Sequence, residues 1–257
     1  MQNIKIYTVK SIKFLNWLLT GMSIRLVKWT GKSPQSMHPK HLLKETPEWI
    51  KYFSKIDKVL DIGCNNGQRD FKLSPFVENI VAFDYDSKSI QDAERWQKEK
   101  NIKNIEFMEL SGEKALPFKS GSFDKILFLD VIEHLYNREQ IMKECLRVLR
   151  DGGMMVLAAP NKETPWKNFQ KDLGLFYYSD SDHKIEYGKD ELMKIHKDAG
   201  FNVVEINTIV YDFPFAGAVD IIGGISLSLY GKLQNWKKSV AKMHPEKSIG
   251  FMVISKK

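Results

Sequence analysis

The sequence predicts an α/β protein built around a mostly parallel sheet with helices on its faces. The middle of the 257-residue chain alternates short apolar runs with helix-like segments, which is typical of a parallel sheet. A glycine-rich turn follows the first apolar run, and open sheets of this kind bind ligands at such turns. The length and the 43% apolar composition fit one large domain, or one domain with appendages.

Seven apolar runs are predicted as strands, and several end at a residue that interrupts regular structure. The first, KVLDI, runs into Gly63, and the fifth, MMVLAA, ends at Pro160. Glycine and proline punctuate regular structure, so these positions mark strand ends. In chain order the runs are residues 58–62, 79–83, 104–108, 123–129, 154–159, 202–211 and 249–255.

Three segments between these strands are predicted as helices. In the second of them, Ile141, Cys145 and Val148 lie at helical spacing and form one apolar face. Asn137 precedes this helix as its expected N-cap, and the Gly-Gly pair at 152–153 is its expected stop. The helices are predicted at residues 87–100, 138–150 and 189–199, and the first 55 residues are expected to be helical and amphipathic.

The predicted domain organisation has two parts. Residues 1–55 form an N-terminal helical basic extension, and residues 56–257 form the main domain. The main domain carries two predicted inserts, at 161–187 and 213–244, which interrupt the pattern of strands and helices.

Charge is spread unevenly along the chain. Residues 1–58 hold 11 basic and 3 acidic side chains, residues 59–231 hold 21 and 28, and residues 232–257 hold 7 and 1. An acidic body with two basic ends favours an anionic partner: a membrane face, a phosphorylated lipid carrier or nucleic acid. The alternative is that both ends are simply solvated faces.

The cysteine count and the apolar runs bound the cellular setting. Cys64 and Cys145 are too few for a disulfide scaffold, and no histidine lies at zinc-ligand spacing from them, so no metal is predicted. The first ten residues lack the apolar core of a secretory signal, so the expected location is cytoplasmic, at most peripheral to a membrane. Neither Phe14–Ile24 nor Phe213–Gly231 is expected to span a bilayer, because the first is too short and the second contains a proline and four glycines.

The strongest chemical signal is the stretch VLDIGCNNGQ at Val59–Gln68. An apolar strand runs into Gly63 and Gly67, and glycines let a backbone turn sharply and approach a ligand. Asp84 ends the next strand, where an acid can accept both hydroxyls of a ribose. Asp86 is better placed than Asp84 to cap the following helix, which leaves Asp84 for a ligand. The loop has neither the G-x-G-x-x-G pattern nor a P-loop lysine.

These motifs resemble the class I S-adenosylmethionine-dependent methyltransferases, of the broad type 11 and type 12-like group with a single Rossmann-like domain. The resemblance covers about residues 59–201, with a last strand near 249–255. It implies a seven-stranded Rossmann-like sheet with an antiparallel last strand, and S-adenosylmethionine as the cofactor. The matching stretches, in order, are VLDIGCNNG, VAFDYDSKSI, ALPFKSGSFDKILFLDVIEHL, RVLRDGGMMVLAAPN and DHKIEYGKDELMKIHKDAGF.

The resemblance assigns cofactor contacts to the loops after the first four strands. Asn65 replaces a usual glycine, and asparagine tolerates the left-handed backbone region better than most residues. Ser111-Gly112-Glu113 stands where the family usually has Asp-Ala, so Glu113 or backbone N–H groups would replace that contact. Tyr85 is expected against the adenine, with strand-end packing as the alternative. The assigned residues are Asp61, Gly63, Cys64, Asn65 and Gly67 in the first loop, which matches the family's loop for the amino-acid end of the cofactor, Asp84 and Tyr85 on the ribose and adenine, Gly112 and Glu113, and Asp130 near the methionine part and the transferred methyl.

Two histidines are candidate catalytic bases. His134 follows the fourth strand, and His183 lies before the last large helix in a segment that often borders this family's active site. A base that takes the proton of an acceptor hydroxyl helps methyl transfer, and histidine serves near neutral pH. A structural role, such as a backbone hydrogen bond, is the alternative for each. Cys64 is expected to be a small filler of the loop and no nucleophile.

The predicted function is methyl transfer to a small or lipid-linked acceptor, such as a glycan hydroxyl or a quinone-type molecule. The insert at 161–187 holds six aromatic side chains suited to stacking, and the insert at 213–244 is apolar and then basic, which suits a lipid-linked anionic substrate at a membrane. The alternatives are a non-catalytic partner protein that retains the fold, and an RNA or protein methyltransferase. A nucleic-acid substrate is not expected, because no RNA-binding module is recognisable. A homodimer through residues 213–231 stays open.

Overall fold

The computed structural model of the protein describes residues 2–34, 36–43 and 46–257. Residues 1, 35, 44 and 45 of the predicted N-terminal extension lie outside the described residues. The chain divides into two compact units. The first unit contains the described part of residues 1–45, with Asn161–Ser179 and Thr208–Gly250. The second contains Thr46–Pro160, Asp180–Asn207 and Phe251–Lys257.

The second unit is built on a seven-stranded sheet with the order β3-β2-β1-β4-β5-β7-β6. The first five strands pair in parallel. β7 runs antiparallel to β5, because Lys257 N donates to Gly153 O at one end and Asn161 N to Ile249 O at the other. The strands are β1 Lys58–Ile62, β2 Asn79–Asp84, β3 Ile105–Glu109, β4 Phe123–Leu129, β5 Leu149–Pro160, β6 Asn202–Thr208 and β7 Gly250–Lys256.

The central strands are buried on both faces, which explains their nearly continuous apolar sequences. Leu60, Ile126 and Leu157 are each completely buried. Asp61 is the exception in β1, a carboxyl in an otherwise apolar strand that is only 2% exposed. Because β1, β2 and β4 are parallel, their carboxyl ends lie at the same edge of the sheet and bring the following loops together.

Helices connect these strands, and their boundaries differ slightly from the sequence prediction. The predicted helix 138–150 ends at Val148, because Leu149 already pairs with Phe123 as the start of a long β5. Asn137 sits at the N-cap position, but its side chain donates to Glu113 O and makes no cap hydrogen bond. The helices of this unit are α2 Gln68–Leu73, α3 Ser87–Glu99, α4 Arg138–Val148 and α6 Lys189–Asp198.

The first unit is helical and contains the N-terminal segment, residues 161–179 of the first predicted insert and the whole of the second insert. Its helices are α1 Gln2–Trp29, α5 Pro165–Asp172, α7 Ala216–Ile225 and α8 Leu227–Met243. α7 packs closely on α1: a Cβ added at Gly217 would lie 2.6 Å from Asn16 O, and one at Gly224 would lie 2.8 Å from Leu26 Cβ. Among the described residues no helix combines the length and apolarity needed to cross a bilayer.

Asp220, the only charge in the apolar run 213–231, lies buried in this unit. Thr20 Oγ1 donates to its carboxylate at 2.8 Å, Tyr230 donates at 3.4 Å, and His38 Nε2 lies at 3.2 Å. Burial acts to raise the pKa of Asp220, but the hydrogen bonds and charge of His38, helped by Thr20, hold it below its ordinary value. The run is therefore largely helix core, with Val219, Gly223 and the acid all buried.

Candidate active site

The loop after β1 makes three left-handed backbone turns in five residues. Gly63, Asn65 and Gly67 have φ angles of 75°, 50° and 74°. Gly63 N and Cys64 N both donate to Phe83 O, which ties the loop to the end of β2. Asn65 thus adopts the conformation that glycine would otherwise supply, and the loop keeps its turn despite the substitution.

The two glycines are fixed by protein neighbours as well as by their backbone angles. A Cβ at Gly63 would lie 2.3 Å from Val131 Cγ2, and one at Gly67 would lie 2.6 Å from the Phe107 ring. The sequence-based reason for these glycines was approach to a ligand. The structure adds a second reason, which is close packing under the loop.

Asp84 holds the loop from below with its carboxylate. Oδ2 accepts a hydrogen bond from Asn65 N at 2.8 Å, and Oδ1 accepts one from Asp86 N at 3.0 Å. Asp86 caps α3 by accepting from Ser89 N, as predicted. Each Asp84 oxygen keeps a free lone pair for a further donor. The neighbouring Tyr85 is 79% exposed and offers an open aromatic face.

Below the loop lies a pair of buried carboxyls, Asp61 and Asp70. Burial raises the pKa of Asp61 to about 6, with the charge of Asp84 adding to the effect. Burial, and then the charge of Asp61, raise the pKa of Asp70 well above its usual range. Two such neighbouring groups cannot both ionise cheaply, and Asp61 Oδ2 and both Asp70 carboxyl oxygens have no hydrogen-bond partner among the described residues. Cys64 lies above them, and its burial raises the pKa of the thiol, as expected of a filler and not of a nucleophile.

The side chain of Glu113 has a structural role. Its carboxylate accepts hydrogen bonds from Tyr136 N at 2.6 Å and Asn137 N at 2.9 Å, at the approach to α4. Gly112 is open: a Cβ added there would meet only Leu135, at 3.6 Å. Glu113 N donates to Ser111 Oγ and Glu113 O accepts from Asn137, so of these two residues the Gly112 backbone is the better candidate for the predicted replacement contact.

Asp130 sits at the end of β4 in a left-handed conformation, with φ of 58°. A non-glycine residue in this region is uncommon, and such conformations cluster at functional sites. Its carboxylate pairs with Arg69 at 2.5 Å, and Arg69 also donates to Leu129 O. Arg69 was not predicted, although it follows the glycine loop by two residues, at the start of α2 where a side chain returns towards the strand ends.

The two predicted histidines lie next to each other in space, beside the turn that follows β4. The rings of His134 and His183 stack edge to face with centroids 4.7 Å apart. Lys184 N and Ile185 N both donate to Glu133 O, which anchors the segment of His183 against the turn after β4. Glu133 was not predicted as a site residue, although it directly precedes His134 in the sequence.

Buried carboxylates flank this histidine pair. His183 Nδ1 lies 2.8 Å from Glu186 Oε1, and its Nε2 lies 4.0 Å from Glu133 Oε1. Glu133 and Glu186 are both almost fully buried, and Glu133 Oε2 has no hydrogen-bond partner among the described residues. Burial raises the pKa of Glu133 to about 8, and the nearby charges of Asp130 and Glu186 add to this.

His134 is held in its neutral form by its surroundings. Burial, and then the charge of His183, lower its pKa below the ordinary value. A neutral imidazole keeps a lone pair that can take a proton. One ligand atom each from Glu133, His134 and His183 lies within 4.8 Å of the others, so the cluster can exchange protons and has the donor types of a divalent-cation site.

Comparison with known proteins agrees with this architecture. A family model described as a methyltransferase domain matches residues 60–157. A protein of Encephalitozoon cuniculi named as a methyltransferase is 31% identical over 178 residues, which cover 61% of this chain and 76% of that protein. The chain belongs to the class I S-adenosylmethionine-dependent methyltransferases. The cofactor of this family is S-adenosylmethionine.

Further matches bear on the fold and on the acceptor. The crystal structure of a methyltransferase from Methanosarcina mazei superposes with a TM-score of 0.58 at 19% identity, covering 84% of this chain and 99% of that one, which shows the shared fold. A ubiquinone biosynthesis O-methyltransferase of Albidiferax ferrireducens is 24% identical over 45% of this chain and 46% of its own. The chain spans about half the length of several curated relatives that it matches.

The residues at the strand ends fit S-adenosylmethionine. Asp84 offers carboxylate lone pairs to ribose hydroxyls, Tyr85 offers an exposed ring for the adenine, and Gly112 leaves its backbone accessible. Asp130 and Arg69 supply opposite charges beside the loop, which match the amino and carboxylate groups of the methionine part. The donor set therefore suits the cofactor from the adenine to the amino acid.

Proposed function

We propose that this protein transfers a methyl group from S-adenosylmethionine to a hydroxyl oxygen of a small or lipid-linked acceptor, of the quinone or glycan type. The observation that carries the proposal is the cluster of Glu133, His134 and His183, which follows the strand end that holds Asp130. The charges of Asp130 and Arg69 act on Glu133, so the base cluster and the end of β4 share one electrostatic environment.

The cofactor, when bound, supplies an electrophilic methyl group on a positively charged sulfur that leaves as a neutral thioether. The protein then has to position the two reactants and remove one proton, and positioning is the larger part of such an in-line displacement. When the cofactor is bound, Asp84 would hold its ribose, and the loop from Gly63 to Gly67 would hold its amino-acid end. The Arg69–Asp130 pair fixes the end of β4 and would face the same amino-acid end.

Removal of the acceptor proton is assigned to the histidine pair. Glu186 holds His183 through Nδ1, which turns Nε2 towards Glu133 and His134. His134 is neutral because burial lowers its pKa, so it can accept the hydroxyl proton directly. Glu133 lies in the same cluster, and its raised pKa of about 8 keeps it mostly protonated near neutral pH, so it serves as a hydrogen-bond donor to the histidine pair while the proton leaves His134 for solvent.

The quinone or glycan character of the acceptor is supported by two lines of argument. A relative named as a ubiquinone biosynthesis O-methyltransferase is 24% identical over 45% of this chain. The segment 161–187 presents aromatic rings in contact, with Phe176 and Tyr177 each packed edge to face on Tyr178, and such rings stack on flat or sugar-like molecules.

The competing hypothesis is a non-catalytic protein that keeps the fold but has lost the cofactor. Its basis is the altered sequence at Asn65 and at Ser111-Gly112. Asn65 adopts the required left-handed angle and donates to Asp84, so the loop keeps its geometry, which favours cofactor binding.

Methyl transfer from isotope-labelled S-adenosylmethionine to fractionated lipids, glycans, quinones, RNA and protein tests the proposal. We expect label in a lipid or small-molecule fraction, in the form of an O-methyl group that resists alkali. This label should be lost when His134 and His183 are both replaced by Gln. Label confined to RNA or protein would overturn the acceptor class. Cofactor binding without transfer to any fraction would favour the non-catalytic hypothesis.

A further inference from the structure

Helix α1 has two apolar faces, of which only one is covered by the fold. The covered face holds Val9, Ser23 and Val27, which are completely buried, while Asn16 and Thr20 bond to residues at or within α7. A surface helix of a globular protein normally has a single apolar stripe, with polar residues opposite. In α1 the opposite side is apolar as well.

The uncovered side carries an apolar stripe, which we name the outer stripe, and the exposed Ser11 and Arg25 lie within its width. Its members recur at spacings of three, four or seven residues, which places them on one side of an α-helix. Tyr7 is 70% exposed, Phe14 63% and Trp29 85%, which is unusual for large apolar side chains. The outer stripe consists of Ile4, Tyr7, Phe14, Leu18, Met22 and Trp29.

The charges of α1 are all of one sign. The helix carries Lys5, Lys10, Lys13, Arg25 and Lys28 and no Asp or Glu. Lys10 and Lys28 are exposed and border the outer stripe: Lys10 lies one helical turn before Phe14, and Lys28 directly precedes Trp29. An apolar stripe bordered by cations alone suits an apolar surface that carries negative charge.

We propose that α1 lies along an anionic lipid surface, with its outer stripe seated at the boundary between headgroups and acyl chains. Aromatic side chains such as Tyr7 and Trp29 favour this boundary, and the lysines contact lipid phosphates. A second copy of the chain is a poorer occupant, because two parallel or antiparallel α1 helices would bring like charges together with no acid to offset them. The helix lies on the membrane and does not cross it, since its outer stripe is backed by the face packed on α7.

This surface differs from the insert 213–244, which the sequence analysis relates to a lipid-linked substrate at a membrane. Much of the run 213–231 packs inside the first unit, with Val219, Gly223 and Gly224 buried, while Phe215 and Leu229 are 45% and 49% exposed. Lys237, in the basic part of that insert, is 7% exposed, and burial lowers its pKa. The membrane contact is assigned to α1, which carries the longer exposed apolar stripe. It deepens the proposed function by favouring a lipid-linked acceptor, and it rests on that function only for the acceptor's identity.

Vesicle sedimentation tests the proposal on the full chain, with phosphatidylcholine vesicles prepared with and without phosphatidylglycerol. We expect binding only to the anionic vesicles, weakened by added salt because screening shortens the reach of surface charges. Tyr7→Glu with Phe14→Glu should lower the partition coefficient at least about tenfold, since each change places a charge in the interface. The matched control is Ile56→Glu, which alters an exposed apolar side chain outside α1 and should bind as the wild type does.

Charge reversal separates the electrostatic part. Lys10→Glu with Lys28→Glu should also abolish binding, while Lys98→Glu with Lys100→Glu, on exposed sites of the other unit, should not. Equal binding of all variants, binding to neutral vesicles, or no binding to either vesicle would overturn the proposal, as would a dimer in solution that Phe14→Glu dissociates.

Cofactor binding measured on the same variants separates this proposal from the proposed function. Unchanged cofactor affinity with lost vesicle binding supports the membrane surface and shows that the fold is intact. A variant of the outer stripe that loses both vesicle binding and cofactor affinity has unfolded. In that case the salt dependence of the wild type and the lysine variants decide whether α1 binds the membrane. Absence of vesicle binding by a catalytically active wild type refutes the membrane surface and leaves methyl transfer standing.

Discussion

Replacing Asp84 with Ala should weaken the binding of S-adenosylmethionine while leaving the fold in place. The carboxylate has two duties: it accepts from Asn65 N and Asp86 N, and it presents its remaining lone pairs to the ribose. Asn65 and Asp86 are both exposed, so water can replace the lost acceptor on the backbone side. The substitution should therefore reduce cofactor affinity more than it reduces the stability of the fold.

The magnitude follows from the hydrogen bonds removed. A hydrogen bond to a charged acceptor contributes about 1.5–3 kcal/mol, partly offset when water fills the gap, so we expect a loss of about 1–3 kcal/mol. This corresponds to a rise in Kd of roughly 5-fold to 150-fold. Asp84→Asn keeps one oxygen acceptor and should fall between Ala and the wild type.

Isothermal titration calorimetry with S-adenosylmethionine and with S-adenosylhomocysteine measures this change. The matched control is Asp198→Ala, which removes a carboxylate from an exposed ion pair with Lys194 and should not alter the affinity. Equal affinity of Asp84→Ala and wild type would show that Asp84 does not contact the cofactor, and would refute the assignment of the ribose site.

Further predictions address the loop, the base cluster and a buried histidine. Gly63→Ala should destabilise the protein by about 1–3 kcal/mol, because it places a Cβ 2.3 Å from Val131 Cγ2 at a positive φ, and Val131→Ala should restore part of the loss in a denaturant titration. His183→Gln should lower kcat about 100-fold or more with little change in cofactor Kd, and an equal loss in both would mean a structural role. Activity should survive a chelator such as EDTA if the cluster acts as a base without a metal. Burial lowers the pKa of His196 from 6.5 to about 4, so the unfolded chain binds a proton in that range while the folded protein does not; the free energy of unfolding should therefore fall by up to about 3 kcal/mol between pH 6.5 and pH 4. The same titration of His196→Leu should be shallower over this range, and identical curves would contradict the assignment.

The strands of the sheet could be predicted because each is a short, buried segment whose apolar sequence is visible without knowledge of its neighbours. Each of the seven runs became a strand, and the main change was at β5, which begins at Leu149 because a bulge near Phe123 and Lys125 lets the strand pair earlier than its apolar run suggests. Asp86 was identified as the cap of α3 because the N-cap preference depends only on neighbouring residues.

The parts that the sequence did not predict depend on contacts between distant segments. Arg69 joins Asp130 across 61 positions, and Glu186 meets His183 only because the segment is anchored to Glu133. Helical periodicity identified α1 as amphipathic, but a periodic pattern does not tell which of two apolar faces is covered. That distinction needs α7, whose small residues allow it to pack against one face.

The most direct test of the central claim is methyl transfer from labelled S-adenosylmethionine by purified protein to lipid and quinone extracts, in parallel with Asp84→Ala and with His134→Gln combined with His183→Gln. The account predicts an O-methylated product with the wild type, a raised cofactor requirement with Asp84→Ala, and bound cofactor without product for the double histidine variant. An unchanged product yield from the double histidine variant, or wild-type protein that binds no S-adenosylmethionine, would contradict it.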